Sequence, residues 1–373
     1  MDQKDNSHRD RVNQAITFHQ PDRTPRDFAA SPEIWQKLGE HFGTLDRNAI
    51  LKKLGVDCRI VSYDSFCEPP GILNDETDWK ASSERSSIGG MWRQIEPDGS
   101  TRDIWGAHRQ RVKTACGSLD QLVSFPLEAA KSLSDLKRYR WPQPDWWNFQ
   151  SLRMVIENLD DRETYNIRYR VGSVFETAWS LYGFERMLVD LKANRSLPAY
   201  VMERITDVHV ENLRRVLEIA GDLIDIVYFY DDVSSQEGLL MSPETYRREI
   251  QPFHDRLIDL AKKHRKHVML HCCGSAYSLI DHFITMGVNV LNPIQPSARN
   301  MEPSRLASEF AGRIAFHGGI DVQHLLPYAT CREVQNKVAY MQELLGKNGG
   351  YILSGSHHVP AEVPLENVLA MYA

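Results

Sequence analysis

The sequence predicts an α/β fold, a (β/α)8 TIM-type barrel with an inserted hairpin or lid excursion in its N-terminal third. Three observations lead there. From about residue 150 onward, short apolar runs alternate with helical patterns, as βα units and a parallel sheet require. Runs such as Ile224-Asp225-Ile226-Val227-Tyr228-Phe229 are nearly continuous in apolar residues, which suits strands covered on both faces. The 373 residues are enough for one large barrel domain spanning 1–373.

In chain order, the strand runs are Asp57–Ser62, Tyr165–Val171, Ile224–Tyr230, His267–His271, Val288–Asn292, Arg313–His317 and Tyr351–Ser354. Helix signals lie between them. Ser242-Pro243-Glu244 offers a capping hydroxyl, a proline for the first turn and an acid for the positive helix end. Tyr246, Ile250, Phe253, Leu257, Ile258 and Leu260 then follow at mostly helical spacing. Ser278–Met286 reads as a helix that stops at Gly287 before the strand at Val288. Residues 63–147 break this rhythm with frequent Pro, Gly and Trp. Pro97-Asp98-Gly99, between Trp92–Ile95 and Thr101–Trp105, predicts a β-hairpin. The region is read as an excursion over the barrel mouth, with little periodic core of its own. Its tryptophans (Trp92, Trp105, Trp146, Trp147) fit either core packing or contact with an aromatic substrate.

Composition narrows the function. The chain is 42% hydrophobic and 25% charged with a net charge of −6, and no basic block appears, which argues against nucleic acid. No apolar run approaches the roughly 18 residues of a membrane span. Met1-Asp2-Gln3-Lys4-Asp5-Asn6 lacks a signal-peptide core, so a cytoplasmic location is expected. The six cysteines are too sparse for a disulfide scaffold. Cys58, Cys67, Cys116 and Cys331 read as small buried hydrophobes.

The chemistry should lie at the C-terminal ends of the strands, where such barrels build their sites. His271-Cys272-Cys273-Gly274 follows one strand run directly. Residues two apart in a strand share a face, so His271 and Cys273 can meet one ion while Cys272 points away. A second histidine-bearing strand end, Ser354-Gly355-Ser356-His357-His358, lies near the C-terminus, and the reading requires the two loops to meet. Other strand ends supply Glu176, Asp231, Asp232, Asn292, Gln295, His317 and Asp321. Blander roles fit some of them too: a cap on the next helix for Asp231-Asp232, a solvated helix acid for Glu176, a loop hydrogen bond for His317. Gly318-Gly319 suits a tight turn or a close backbone approach.

From Asp225 to Tyr372 the chain resembles the uroporphyrinogen decarboxylase superfamily. Tyr230-Asp231-Asp232, Ser242-Pro243-Glu244-Thr245-Tyr246, His271-Cys272-Cys273-Gly274, Phe316-His317-Gly318-Gly319-Ile320-Asp321 and Pro364-Leu365-Glu366-Asn367-Val368 carry the likeness. Arg9-Asp10-Arg11-Val12, Pro21-Asp22-Arg23-Thr24-Pro25, Pro126-Leu127, Ser134-Asp135-Leu136 and Trp141-Pro142 extend it over nearly the whole sequence. The resemblance implies a (β/α)8 barrel. It also implies one of two activities: cofactor-free decarboxylation, or zinc-dependent methyl transfer involving corrinoid proteins and thiols. The His-x-Cys-Gly signature is closer to the methyltransferases. There a His, a Cys two residues on and a distant Cys hold zinc. His271 and Cys273 match the first two, and His357 stands at the third position in place of cysteine. Histidine keeps a sound zinc set. One thiolate fewer makes the ion more electrophilic, favouring an ether or carboxylate oxygen over a thiol.

The reading is therefore a zinc-dependent, corrinoid-linked methyltransferase with His271, Cys273 and His357 as metal ligands. Asp231, Asp232 and Asp321 are its catalytic carboxylates, and Glu176, Asn292, Gln295, His317 and His358 bind substrate. A fourth ligand would be Asp231, Asp232, Glu176 or Asp321, or the position would stay open. The expected partners are a small-molecule substrate, a corrinoid protein and a second copy of the chain. The alternatives are a metal-free decarboxylase or lyase using Asp232 or Asp321, and a non-catalytic protein that binds a small ligand or a corrinoid partner. The heme-pathway reaction itself fits poorly. Arg23 and Arg26 lie near the expected porphyrin-binding segment, but Asp27-Phe28-Ala29-Ala30-Ser31 does not match it.

Overall fold

All seven apolar runs form strands of one parallel sheet in the computed structural model, in chain order. They are β1 (Cys58–Val61), β2 (Asn166–Gly172), β3 (Ile226–Tyr230), β4 (His267–His271), β5 (Val290–Ile294), β6 (Ala315–Ile320) and β7 (Tyr351–Gly355). The structure describes residues 7–67, 79–81, 92–114, 117–159 and 164–373. The sheet curls, consistent with a TIM-type barrel, and the extended segment 25–27 bonds to both of its edges. Asp27 N–H donates to the Leu353 carbonyl and Leu353 N–H to that of Pro25, while Asp57 N–H donates to the Arg26 carbonyl. This segment takes the place of an eighth stave. Sequence reading missed it because three residues are too few to show a period.

Two apolar cores result. The larger lies between the sheet and the surrounding helices. The smaller lies inside the sheet, where Cys58, Ile226, Met269, Val290, Ala315 and Ile352 meet Val12 and Ile16 of the helix His8–Ile16. That helix plugs the N-terminal end of the strands. Beside it, buried Asp57 accepts from Arg11 Nη1 (2.6 Å), Arg23 Nη1 (2.8 Å) and the Arg26 amide (2.7 Å), and pairs with His8 Nδ1 (2.6 Å). Arg23 is thus committed to this closed end. Arg26 donates to the Tyr372 carbonyl at 2.6 Å.

The predicted helix punctuation holds. Ser242 Oγ accepts from Thr245 N–H at the start of helix Pro243–Glu249. Gly287 ends helix Ile280–Met286 in the left-handed conformation. Within 63–147, the predicted hairpin pairs Trp92–Ile95 with Thr101–Asp103, and Gly99 supplies the positive φ of its turn. It belongs to a five-stranded antiparallel sheet with Trp79–Ala81, His108–Thr114 and Gly117–Ser124. Trp105, Trp146 and Trp147 are buried in the main core, which favours the packing role for them. Cys58 and Cys67 are buried, as expected of small hydrophobes, while Cys331 is half-buried and Cys116 lies outside the described residues.

Candidate metal centre

Inward-facing residues alternate along each strand, so the floor and the site are two layers of one pattern. Two positions beyond each of the six floor residues comes a residue of the cavity above: Ile60, Tyr228, His271, Asn292, His317 and Ser354. The cavity holds about 280 Å³. That lies at the small end of ligand pockets, which run from about 300 to about 1,000 Å³.

His271 closes β4, and its Nε2 lies 3.1 Å from Cys273 Sγ. The loop between them is tightly held. Ser234 Oγ donates to the Cys273 carbonyl at 2.5 Å, and Cys273 N–H donates to Asp232 Oδ1 at 2.7 Å. Gly274 has φ +81°, and a Cβ there would sit 2.3 Å from the Ser235 carbonyl oxygen, so only glycine fits this turn. Cys272 points into the main core, as the alternation predicts. His357 arrives from the loop after β7, its ring 5.9 Å from that of His271. The donor atoms of His271, Cys273 and His357 all lie within 4.8 Å of one another. Zinc bonds of about 2.0–2.3 Å place tetrahedral neighbours roughly 3.3–3.8 Å apart, so side-chain shifts of about an ångström would bring the set to that spacing.

Electrostatics suit ligation. Burial lowers His271 to about 4, and burial together with His271 lowers His357 to about 4, so both rings are neutral near pH 7. His357 is exposed, but its exposed face looks into the cavity. Burial and the nearby Asp232 raise the Cys273 thiol far above its ordinary value. A divalent cation is what would release that proton. Burial, then the charge of Asp232, raises Glu176 to about 8, leaving a neutral acid on the cavity wall. Asp232 is also raised by burial, and its Oδ1 lies 3.9 Å from His271 Nε2.

Asp232, Glu176, Asn292, His317 and His358 line the cavity together with His271 and His357. Three expected site residues do not. Asp231 is buried behind the wall, accepting from the amides of Val174 (2.9 Å) and Glu176 (2.8 Å) and pairing with His254 Nε2 (2.7 Å). It caps helix Phe175–Tyr182, whose own cap residue, Val174, has no side-chain acceptor. The sequence alternative of a cap was right in kind, but the capped helix precedes Asp231 in the chain. Asp321 closes a turn by accepting from the amides of Gln323 and His324. Gln295 clamps the two ligand loops: Oε1 accepts from Gly274 N–H (2.8 Å) and Nε2 donates to the Ser356 carbonyl (3.3 Å). All three hold structure and do not face the cavity.

Sequence reading also missed Asp27, Arg168, Arg170, Tyr228 and Tyr230, which line the cavity too. Arg168 and Arg170 stand two apart in β2. Charges at that spacing inside an apolar run were a readable sign of an inward polar face. Arg168 pairs with Asp27 (2.6 Å) and Arg170 with Asp64 (3.3 Å).

The fold is shared with the methyltransferase from Methanosarcina mazei. The match has a TM-score of 0.66 at 13% identity and covers 98% of this chain and 97% of that one. Xylanase 10B from Thermotoga maritima also matches, with a TM-score of 0.35 at 13% identity, over 58% of this chain and 71% of that one. That likeness is too distant to carry an argument. No curated protein matches the sequence. Residues 124–373, more than half of the chain, match the uroporphyrinogen decarboxylase (URO-D) family, and the protein belongs to it. Among the described residues, no helix is long and apolar enough to cross a membrane.

Proposed function

We propose that the protein is a zinc-dependent methyltransferase that exchanges a methyl group between a small substrate and a corrinoid carried by a partner protein. The convergence of His271, Cys273 and His357 within 4.8 Å, beside a small cavity that His271 and His357 line, carries this reading. The fold shared with a methyltransferase supports it. Bound there, zinc would act as a Lewis acid on the heteroatom that the methyl group leaves or joins. As the carbon–heteroatom bond breaks, the heteroatom keeps the electron pair and takes up a proton. Glu176, a neutral acid on the wall of the same cavity, would supply that proton. Asp232 holds the Cys273 amide and completes the polar wall. The small antiparallel sheet acts as a lid: Trp92, Trp105 and Arg109 line a second cavity that shares Glu176 and Tyr230 with the first.

Metal analysis of the purified protein tests the proposal. The expected result is about one zinc per chain, lost in Cys273→Ala together with methyl transfer to an added corrinoid. A zinc-free wild type whose activity survives that substitution would overturn it. Metal-free decarboxylation is the second reading, favoured by Arg168 and Arg170 on the cavity wall. Both arginines already have carboxylate partners, which weakens it. Full turnover after exhaustive chelation would select it.

A further inference from the structure

A hydrogen-bond chain runs from a buried carboxylate in the N-terminal segment to the ligand set. Asp27 Oδ2 lies 2.7 Å from His317 Nε2. His317 Nδ1 lies 2.5 Å from the Asn292 amide nitrogen. Asn292 Oδ1 lies 2.6 Å from His271 Nδ1. His271 Nε2 then faces Cys273 Sγ. Asp27, Asn292 and His317 are all buried.

The direction of this chain is fixed at one end. An ionised carboxylate only accepts hydrogen bonds. Burial works against the charge of Asp27, but Arg168 and then His317 outweigh it and hold the carboxyl well below its usual range. Asp27 therefore accepts, and because its 2.7 Å contact is much shorter than the 3.4 Å at which Arg168 Nη1 also lies from the same nitrogen, His317 carries its proton on Nε2. Burial keeps that ring neutral, so its Nδ1 is a lone pair and accepts from the Asn292 amide. That sets the Asn292 side chain with its oxygen toward His271, which must then donate from Nδ1. His271 Nε2 is left as an in-plane lone pair, the form a metal needs.

The opposite polarity fails at both ends. It would face a His317 lone pair against the Asp27 carboxylate at 2.7 Å. It would also put a proton on His271 Nε2, where the ion should bind.

We propose that Asp27 is a positioning residue for the metal centre: acting through His317 and Asn292, it dictates which nitrogen of His271 carries the proton. This inference rests on the metal-site reading above, and its primary test needs no metal. Histidine imidazole ¹⁵N spectra of the metal-free protein report the tautomers directly. The expected wild-type result is His271 protonated on Nδ1 and His317 on Nε2. Asp27→Asn removes the acceptor-only end and should give mixed tautomers at His271. Asn292→Leu cuts the chain without stranding a buried charge, so it serves if Asp27→Asn folds poorly, and it should release His271 in the same way. Zinc affinity, measured by chelator competition, should fall about ten- to a hundredfold in either variant. A wild-type His271 protonated on Nε2, or a tautomer unmoved by both substitutions, overturns the proposal. Failure of wild-type protein to bind zinc would instead overturn the metal-site reading, and the spectra would still decide the chain.

Discussion

The two ends of the strands each bury an aspartate, and they use it in opposite ways. At the closed end, Asp57 is saturated by Arg11, Arg23, His8 and a backbone amide, beneath a helix that shuts out solvent. Two of its partners, Arg11 and Arg23, are guanidinium cations spent on holding the chain together. At the open end, Asp27 also meets an arginine, but its second partner is a neutral imidazole that passes a direction on to the next group. The same residue type ends a network in one place and begins one in the other. What differs is what lies beyond the partner: two guanidiniums, which only donate, close the network at Asp57, whereas the His317 imidazole beside Asp27 is bonded at both ring nitrogens and hands a direction on to Asn292.

The largest expected effect lies at the closed end. Asp57→Ala removes the buried acceptor shared by Arg11, Arg23 and the Arg26 amide, leaving Arg11 its pair with Asp22, and should cost about 3–5 kcal/mol of stability. Urea denaturation measures the loss, and zinc content of the folded fraction should stay unchanged. A variant that kept its stability but lost zinc would break the division of labour between the ends.

Acid should act next, and on the open half. Burial lowers His209, which pairs with the Ser173 carbonyl, from its ordinary 6.5 to about 4. Between those values the unfolded chain binds a proton that the folded chain refuses, so stability falls as pH falls. The loss is complete near pH 4 and amounts to about 3 kcal/mol for this ring. Urea titrations at about pH 7.5 and about pH 5 should show the drop, and His209→Asn should shrink it. Equal stability of the wild type at both values would refute the assignment.

The smallest effect on folding should come from Gln295→Met. It leaves the buried Gly274 amide without its acceptor and should cost about 1–3 kcal/mol. Loosening of the two ligand loops should also weaken zinc binding about tenfold or more. Unchanged zinc affinity in that variant would show that the loops need no clamp.

Much of this was legible in the sequence, and what was hidden has a common cause. Strands covered on both faces read as apolar runs, so β1–β7 stood out. His271, Cys273 and His357 stood out by residue type. The directing group, Asp27, did not, because its partner His317 lies 290 residues away. No local pattern encodes such a pairing. Asp231 and Asp232 show the same limit at close range. Neighbours along a chain at a strand end turn to opposite sides, so one caps a helix and the other faces the cavity. Their identity alone could not say which.

The stave at 25–27 makes assembly order matter. The ribosome delivers this segment early, but Leu353, which it grips, comes last among the strands. Until that residue emerges the ring stays unzipped, and the imidazole that must be aimed has nothing to aim it. The protein should thus acquire metal competence late and all at once, in a slow closing step set by the distance between the two ends of its seam.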